Sequence, residues 1–167
     1  MSPGGHLATT LVAAAGAAAV TGSAPLTAGI AIGGFLIDVD HFTDYVLVEG
    51  QRDLRPGAFL HFYMEGHARR LVLPLHSYEL LALLGLLAWW HASLTLSGYL
   101  IGALMHLTLD IAFNGKLTPR SIGAFYSFGY RLAHRFDADA LLGRAPREVP
   151  ASSWSAFFVG GRLSGSG

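Results

Sequence analysis

An all-α, integral membrane helical bundle of about four transmembrane helices, with an interfacial C-terminal helix, is the fold class this sequence predicts. Three observations predict it. Of 167 residues, 52% are hydrophobic and 13% charged, against about a quarter charged for a typical soluble domain, and mean hydropathy is +0.45. The apolar residues gather into four runs, separated by turn chemistry or by charge. All eleven Lys and Arg fall on one side of the bundle those runs would make.

The first run, Leu7 to Val20, is rich in Ala and Gly. Met1 to Leu7 carries no Lys or Arg, so the run lacks the basic lead-in of a secretory signal and is expected to be retained. Thr21-Gly22-Ser23-Ala24-Pro25 is a turn by composition. The second run, Leu26 to Ile37, has a potential extension to Val48. Both runs are short against the roughly 20 residues a span requires, which suits helices packed closely on their neighbours, because small side chains let backbones approach. The third, Leu71 to His91, contains the strongest apolar stretch, Leu80 to Trp90, with Trp89 and Trp90 suited to a membrane interface. A turn around Ala92 to Ser97 returns the chain into the fourth, Leu96 to Phe113. Ser121 to Phe136 sets Phe125, Tyr126, Phe128 and Tyr130 beside Arg131 and Arg135, the pattern of an interfacial amphipathic segment or equally of one packed across the bundle mouth. Residues 1–136 read as the membrane-embedded domain. Residues 137–167 read as a partly flexible tail, with an apolar patch from Trp154 to Val159 and a Gly/Ser-rich ending after Gly160.

Charge gives the topology. Arg52, Arg55, Arg69 and Arg70 lie between runs two and three; Lys116, Arg120, Arg131, Arg135, Arg144, Arg147 and Arg162 follow run four. The two opposite turns have none. By the positive-inside rule both termini and the central loop are expected on the cytoplasmic side of an inner membrane. A formal net charge of zero excludes a long phosphate-neutralising track, and with it a nucleic-acid partner. The absence of Cys excludes disulfides and thiolate metal sites, leaving imidazole and carboxylate as the strong ligands.

Ionisable residues interrupt the apolar runs at His6, Asp38, Asp40, His41, His76, His106 and Asp110. Each is costly at membrane depth without compensation, and the topology brings all of them to the cytoplasmic end, where helices of a bundle can build a metal site. His106 and Asp110 are one helical turn apart on one face, with Asn114 continuing the stripe; alone, the pair could equally be a hydrogen-bonded couple between helices. Asp38 and His41 meet on one face, Asp40 points elsewhere unless the helix ends there, and Asp44 lies one turn beyond Asp40. Helix termination at a wet surface also explains part of that density. Glu79, one turn after His76, could orient its imidazole or reach to water. His61, His67, His91 and His134 fall outside the expected site.

Gly5-His6, Leu36-Ile37-Asp38-Val39-Asp40-His41, His76-Ser77, Gly98-Tyr99-Leu100, Met105-His106-Leu107-Thr108-Leu109-Asp110 and Gly115 together resemble the YdjM-like family of LexA-regulated, inner-membrane, metal-dependent hydrolases. The family shows an early Gly-His, then Pro-Asp-Ile-Asp-His, His-Arg-Gly-x-Thr-His-Ser and Ser-His-x-x-x-Asp motifs, and the order and rough spacing match from His6 to about Pro119. Leu36-Ile37 stands in place of the motif's residue and Pro, and Val72-Leu73-Pro74-Leu75 in place of Arg-Gly-x-Thr. More remotely the family is similar to zinc-dependent phospholipase C and the single-strand-specific zinc nucleases. The resemblance implies a site of two or three divalent ions, zinc above all, held by the seven residues named, with Asp38 or Asp40 as the base in phosphoester hydrolysis.

The expected function is therefore membrane-bound, metal-dependent hydrolysis, with a phosphoester of a lipid as the expected substrate and membrane lipids as the surrounding partners. A metal-ion transporter or sensor using the same cluster is the alternative, and a structural membrane protein whose polar groups pair with one another is the third. Oligomeric state is not fixed by the sequence.

Overall fold

The computed structural model describes residues 1–114, 121–143 and 147–163. Gly115, Lys116, Pro119, Arg120, Arg144 and Pro146, and the Gly/Ser-rich ending over 164–167, lie outside the described residues. The chain forms α1 (Pro3–Thr21), α2 (Ala24–Phe35), a 3-10 turn (Leu36–Asp38), α3 (Val39–Thr43), a π turn (Asp44–Val48), α4 (Pro56–Met64), α5 (Tyr78–His91) and α6 (Leu94–Asn114). Short helices follow: α7 (Ile122–Phe125), α8 (Phe128–Ala133), α9 (Ala138–Leu142) and α10 (Ser153–Val159). Arg147–Glu148 pairs with Arg162–Leu163 as a two-residue antiparallel ribbon.

Local chemistry sets the ends of the long helices. Ser2 Oγ accepts from Gly5 N at 3.2 Å and Ser23 Oγ from Leu26 N at 3.3 Å, each satisfying an amide that the first helical turn leaves open. Gly22 closes α1 in the left-handed conformation at φ 61°, which a glycine adopts without a side-chain clash. Ser77 caps α5 through Leu80 N at 3.4 Å.

Among the described residues, three helical stretches are long and apolar enough to cross a membrane: Pro3–Thr21, Ala24–Val48 and Leu94–Asn114. The second run thus takes the longer of its two expected extents, because the 3-10 and π turns continue the helical path past Ile37. The third run is shorter than expected. Leu71 to Ser77 is an irregular loop, and α5 has 14 residues, about 21 Å at 1.5 Å per residue against a hydrocarbon core of about 30 Å. Around the bundle, Leu11, Val12, Leu83, Leu86, Ile101 and Leu104 are exposed, as a lipid-facing surface requires.

Contact between α2 and α6 is backbone against backbone. A Cβ at Gly29 or Gly33 would collide with the carbonyls of Thr95 and Tyr99, and one at Gly98 or Gly102 with those of Leu26 and Ile30. Two Gly-x-x-x-Gly pairs face each other, the arrangement by which membrane helices gain dispersion contact without a hydrophobic driving force. This pairing brings Gly34 and His106 together, and so fixes one wall of the polar site.

The C-terminal region lies over the polar end of the bundle. Phe125, Tyr126 and Arg131 are buried, so Ser121 to Phe136 packs across the bundle mouth as two short helices rather than lying as one interfacial amphipathic helix. Ala138 and Leu141 join the core around Ile37, Leu73 and Leu107. Helix α10 is pinned to the start of α1: Ser2 Oγ donates to Phe158 O at 2.9 Å, and a Cβ on Gly4 would meet the Phe158 ring.

Gly33→Val should force α2 and α6 apart, lowering stability by about 2 kcal/mol or more, whereas Gly16→Val, placed where a Cβ meets nothing within 4 Å, should be nearly neutral. Thermal unfolding of the two variants in one detergent checks this.

Candidate metal centre

Four imidazoles follow one another across the polar end of the bundle. His6 stacks on His106 with ring centroids 3.7 Å apart, His106 meets His76 edge-on at 5.1 Å, and His76 meets His41 at 5.1 Å. Carboxylates lie between them: Asp110 beside His6 and His106, Asp38 beside His76 and His106, Asp40 beside His76. All seven residues singled out in the sequence therefore meet at one place. Among the described residues, three overlapping groups bring their ligand atoms close enough to hold a metal ion, namely His6/His106/Asp110, Asp38/His76/His106 and Asp40/His41/His76.

Hydrogen bonds identify the atom each imidazole presents. His106 Nδ1 lies 2.9 Å from the carbonyl of Gly34; a carbonyl oxygen only accepts, so Nδ1 carries the hydrogen. His76 Nδ1 is 3.0 Å from both oxygens of Asp40, and an ionised carboxylate likewise only accepts. With Nδ1–H committed, His76 and His106 each turn an Nε2 lone pair into the site when they are neutral. These two Nε2 atoms are 3.3 Å apart, and Asp38 Oδ1 is 3.4 Å from each. Three electron-rich atoms at such separations repel one another unless positive charge, from a metal ion or from protons on the imidazoles, sits among them.

A divalent ion fits that triangle. Tetrahedral zinc with bonds of about 2.0–2.1 Å places its ligand atoms roughly 3.3–3.4 Å apart. Asp110 Oδ2 is 3.5 Å from His106 Nε2 and His41 Nε2 is 3.8 Å from Asp38 Oδ1, so further donors flank the triangle on both sides. His6 Nε2 is 2.9 Å from Asp110 Oδ1, which also lies 2.9 Å from the Met1 nitrogen. His6 Nδ1 is buried with no hydrogen-bond partner among the described residues.

Asp40 differs from Asp38 in what surrounds it. Asp40 is fully engaged: besides His76 Nδ1, it accepts from the backbone of Leu75 at 3.0 Å and His76 at 3.2 Å. This is the environment of a group that orients a ligand. Asp38, with 32% of its side chain exposed, faces the cavity. Successive changes of helical winding place both on the site side: the 3-10 turn carries Asp38, regular helix resumes through Asp40 and His41, and the π turn begins at Asp44. A uniform α-helix would have turned Asp40 away from Asp38 and His41.

Three further residues were not picked out as functional from the sequence. Asp44 Oδ2 accepts from Val72 N at 2.7 Å and Leu73 N at 3.1 Å; its position one turn after Asp40 was the available signal. Arg131, 0% exposed, donates to the carbonyls of Val72 at 3.2 Å, Leu73 at 2.8 Å, His76 at 3.0 Å and Phe125 at 2.6 Å. Burial pulls its guanidinium pKa down, and the Asp40 charge opposes that shift. Tyr126 donates to Asp110 Oδ2 at 3.2 Å; burial, then the adjacent Asp110 charge, pushes its pKa up, so it remains a neutral donor. Arg131 and Tyr126 sit in an aromatic stretch whose sequence pattern does not separate core from interface.

Glu79 does not touch His76. It accepts from Ser127 Oγ at 2.6 Å and from the amides of Phe128 and Gly129, which ties the start of α8 to α5. His61 pairs with Glu65, and His134 Nδ1 bonds the carbonyl of Tyr130. Compared with protein-family models, with curated proteins and with solved structures, the chain gives no match.

Asp40→Asn, which retains one side-chain oxygen to accept from the amides of Leu75 and His76, should weaken divalent-ion affinity about 10- to 100-fold, the usual cost of losing a carboxylate behind a ligating imidazole; titration of metal-free protein with zinc checks it. Arg131→Met, which leaves buried carbonyls without donors, should lower stability by about 3 kcal/mol, read from unfolding in detergent.

Proposed function

We propose that this chain is a membrane-bound, metal-dependent hydrolase acting on a phosphoester of a lipid. The observation that carries the reading is the convergence of His76 Nε2, His106 Nε2 and Asp38 Oδ1 within 3.3–3.4 Å of one another, their ring hydrogens being held away by Gly34 and Asp40. The resemblance to YdjM-like hydrolases supports the same assignment. So does the sidedness of the site, whose donors gather at one end of the bundle.

His76, His106 and Asp38 would hold the central ion, with Asp110, His6 and His41 supplying flanking donors; zinc is the ion that imidazole and carboxylate in this geometry suit best. A divalent ion there supplies acidity to water and charge stabilisation to phosphoryl oxygens. Asp38 would act as the base, its second carboxylate oxygen taking a proton from water as the water oxygen bonds to phosphorus. The ester P–O bond then breaks, and the proton returns to the departing oxygen, giving an alcohol and phosphate. Tyr126, held neutral beside Asp110, keeps that carboxylate aligned. Asp40 keeps His76 in the tautomer that presents Nε2.

The membrane setting follows the same reading. Helix α5 would serve as a shorter fourth crossing, its exposed Trp89 and Trp90 at the far interface, and the Arg-rich loops would hold the site on the cytoplasmic face of the inner membrane. A lipid is the favoured substrate because the polar site opens from apolar surroundings.

Purified protein should contain at least one divalent ion per chain and release phosphate from lipid phosphomonoesters. Asp38→Ala and His106→Ala should lose at least 100-fold in turnover while still inserting into membranes; elemental analysis together with phosphate release reads both. Stoichiometric metal with ion flux in proteoliposomes and no hydrolysis would select the transporter instead. Metal-free protein that retains the wild-type fold would select the structural reading.

A further inference from the structure

The candidate metal centre lines part of a cavity of about 560 Å³ whose remaining lining is mostly apolar. His6, Asp38, His41, His76 and Asp110 form the polar side. Phe59 and Leu60 of α4, Ile122 and Phe125 of α7, and Trp154 and Phe157 of α10 supply an apolar wall. Such a cavity, apolar except for a few convergent polar groups at one place, is built for a ligand that is itself two-sided. Helices α4, α7 and α10 all lie outside the long apolar helices, so the apolar wall is a separate construction over the bundle mouth and not an internal face of the span packing.

From this we infer that the cavity takes a single hydrocarbon chain, and that the preferred substrate is a single-chain amphiphile, its phosphate at the His/Asp cluster and its tail against α4, α7 and α10. The phosphate half of this inference rests on the hydrolase reading; the tail half does not. Volume selects one chain over two. At roughly 30 Å³ per methylene, near the volume share of one liquid water, the cavity of about 560 Å³ matches one chain of about 16 carbons and is about half of what the pair of a diacyl lipid would fill. Shape is the basis of selection, since a chain moving from bilayer to cavity leaves one apolar medium for another and gains little from burial itself. A water-soluble phosphomonoester would leave the apolar wall uncovered. A diacyl lipid would have to keep one chain outside.

Hexadecyl phosphate bearing a diazirine at the chain terminus tests this in zinc-loaded protein in phosphatidylcholine nanodiscs. Labelling should saturate at one probe per chain, fall on Leu60, Ile122 and Phe157, and drop at least ten-fold with excess hexadecyl phosphate but not with the same excess of dipalmitoyl phosphatidate. Leu60→Trp and, independently, Ile122→Trp should each cut labelling at least five-fold with metal content retained. Labelling that does not saturate and falls on lipid-facing Leu86 and Leu104, equal competition by phosphatidate, or undiminished labelling in both variants overturns the inference. Saturable cavity labelling without release of phosphate from hexadecyl phosphate supports the chain site while removing the hydrolase reading for that ester.

Discussion

The irregular loop from Leu71 to Ser77 is the constraint on which the polar end of this molecule depends. It carries His76 into a bundle otherwise made of helices, so its backbone groups have no ladder or helix to satisfy them, and each one left bare in the interior would cost free energy. Asp44 accepts from the amides of residues 72 and 73, Asp40 from those of 75 and 76, and Arg131 donates to the carbonyls of 72, 73 and 76. Two anions and one cation thus replace secondary structure. Leu73 is held at φ 43°, a conformation costly for a branched side chain, and this dense set of hydrogen bonds maintains it.

The same groups link scaffold to chemistry. Asp40 braces the loop and also fixes the tautomer of His76, so the fold and the ligand geometry share one carboxylate. Gly34 performs the parallel service for His106. Its carbonyl is within reach because Gly33 and Gly102 let α2 and α6 touch, which makes the donor geometry a consequence of helix packing. A site whose orienting partners belong to different helices can hold its donors close only if those helices are held close, and the facing glycines meet that condition.

Much of this was legible beforehand. The apolar runs, the Ser and Gly at helix ends, and the gathering of His6, Asp38, Asp40, His41, His76, His106 and Asp110 at one end follow from composition and from the up-and-down order of helices. Periodicity could not read the winding changes at Leu36–Asp38 and Asp44–Val48, since 3-10, α and π turns differ by fractions of a residue per turn and leave no distinct hydrophobic pattern. It also overextended the third helix, because Leu71 to Leu75 is apolar for a different reason: the loop is buried, and Leu71 and Leu73 belong to the core.

The sequence by itself determined the solvent this chain prefers, the order of its helices and the kinds of donor it can offer, because those depend on side-chain chemistry and on spacing within single segments. Tertiary structure alone decided what each donor does. Asp38 faces the cavity while Asp40 braces His76, Glu79 ties α8 to α5 instead of orienting an imidazole, and Arg131 serves the interior instead of the lipid surface. Those differences arise from partners distant in the chain, and a residue's hydrogen-bond partners, not its type, set which of its atoms remain available for chemistry.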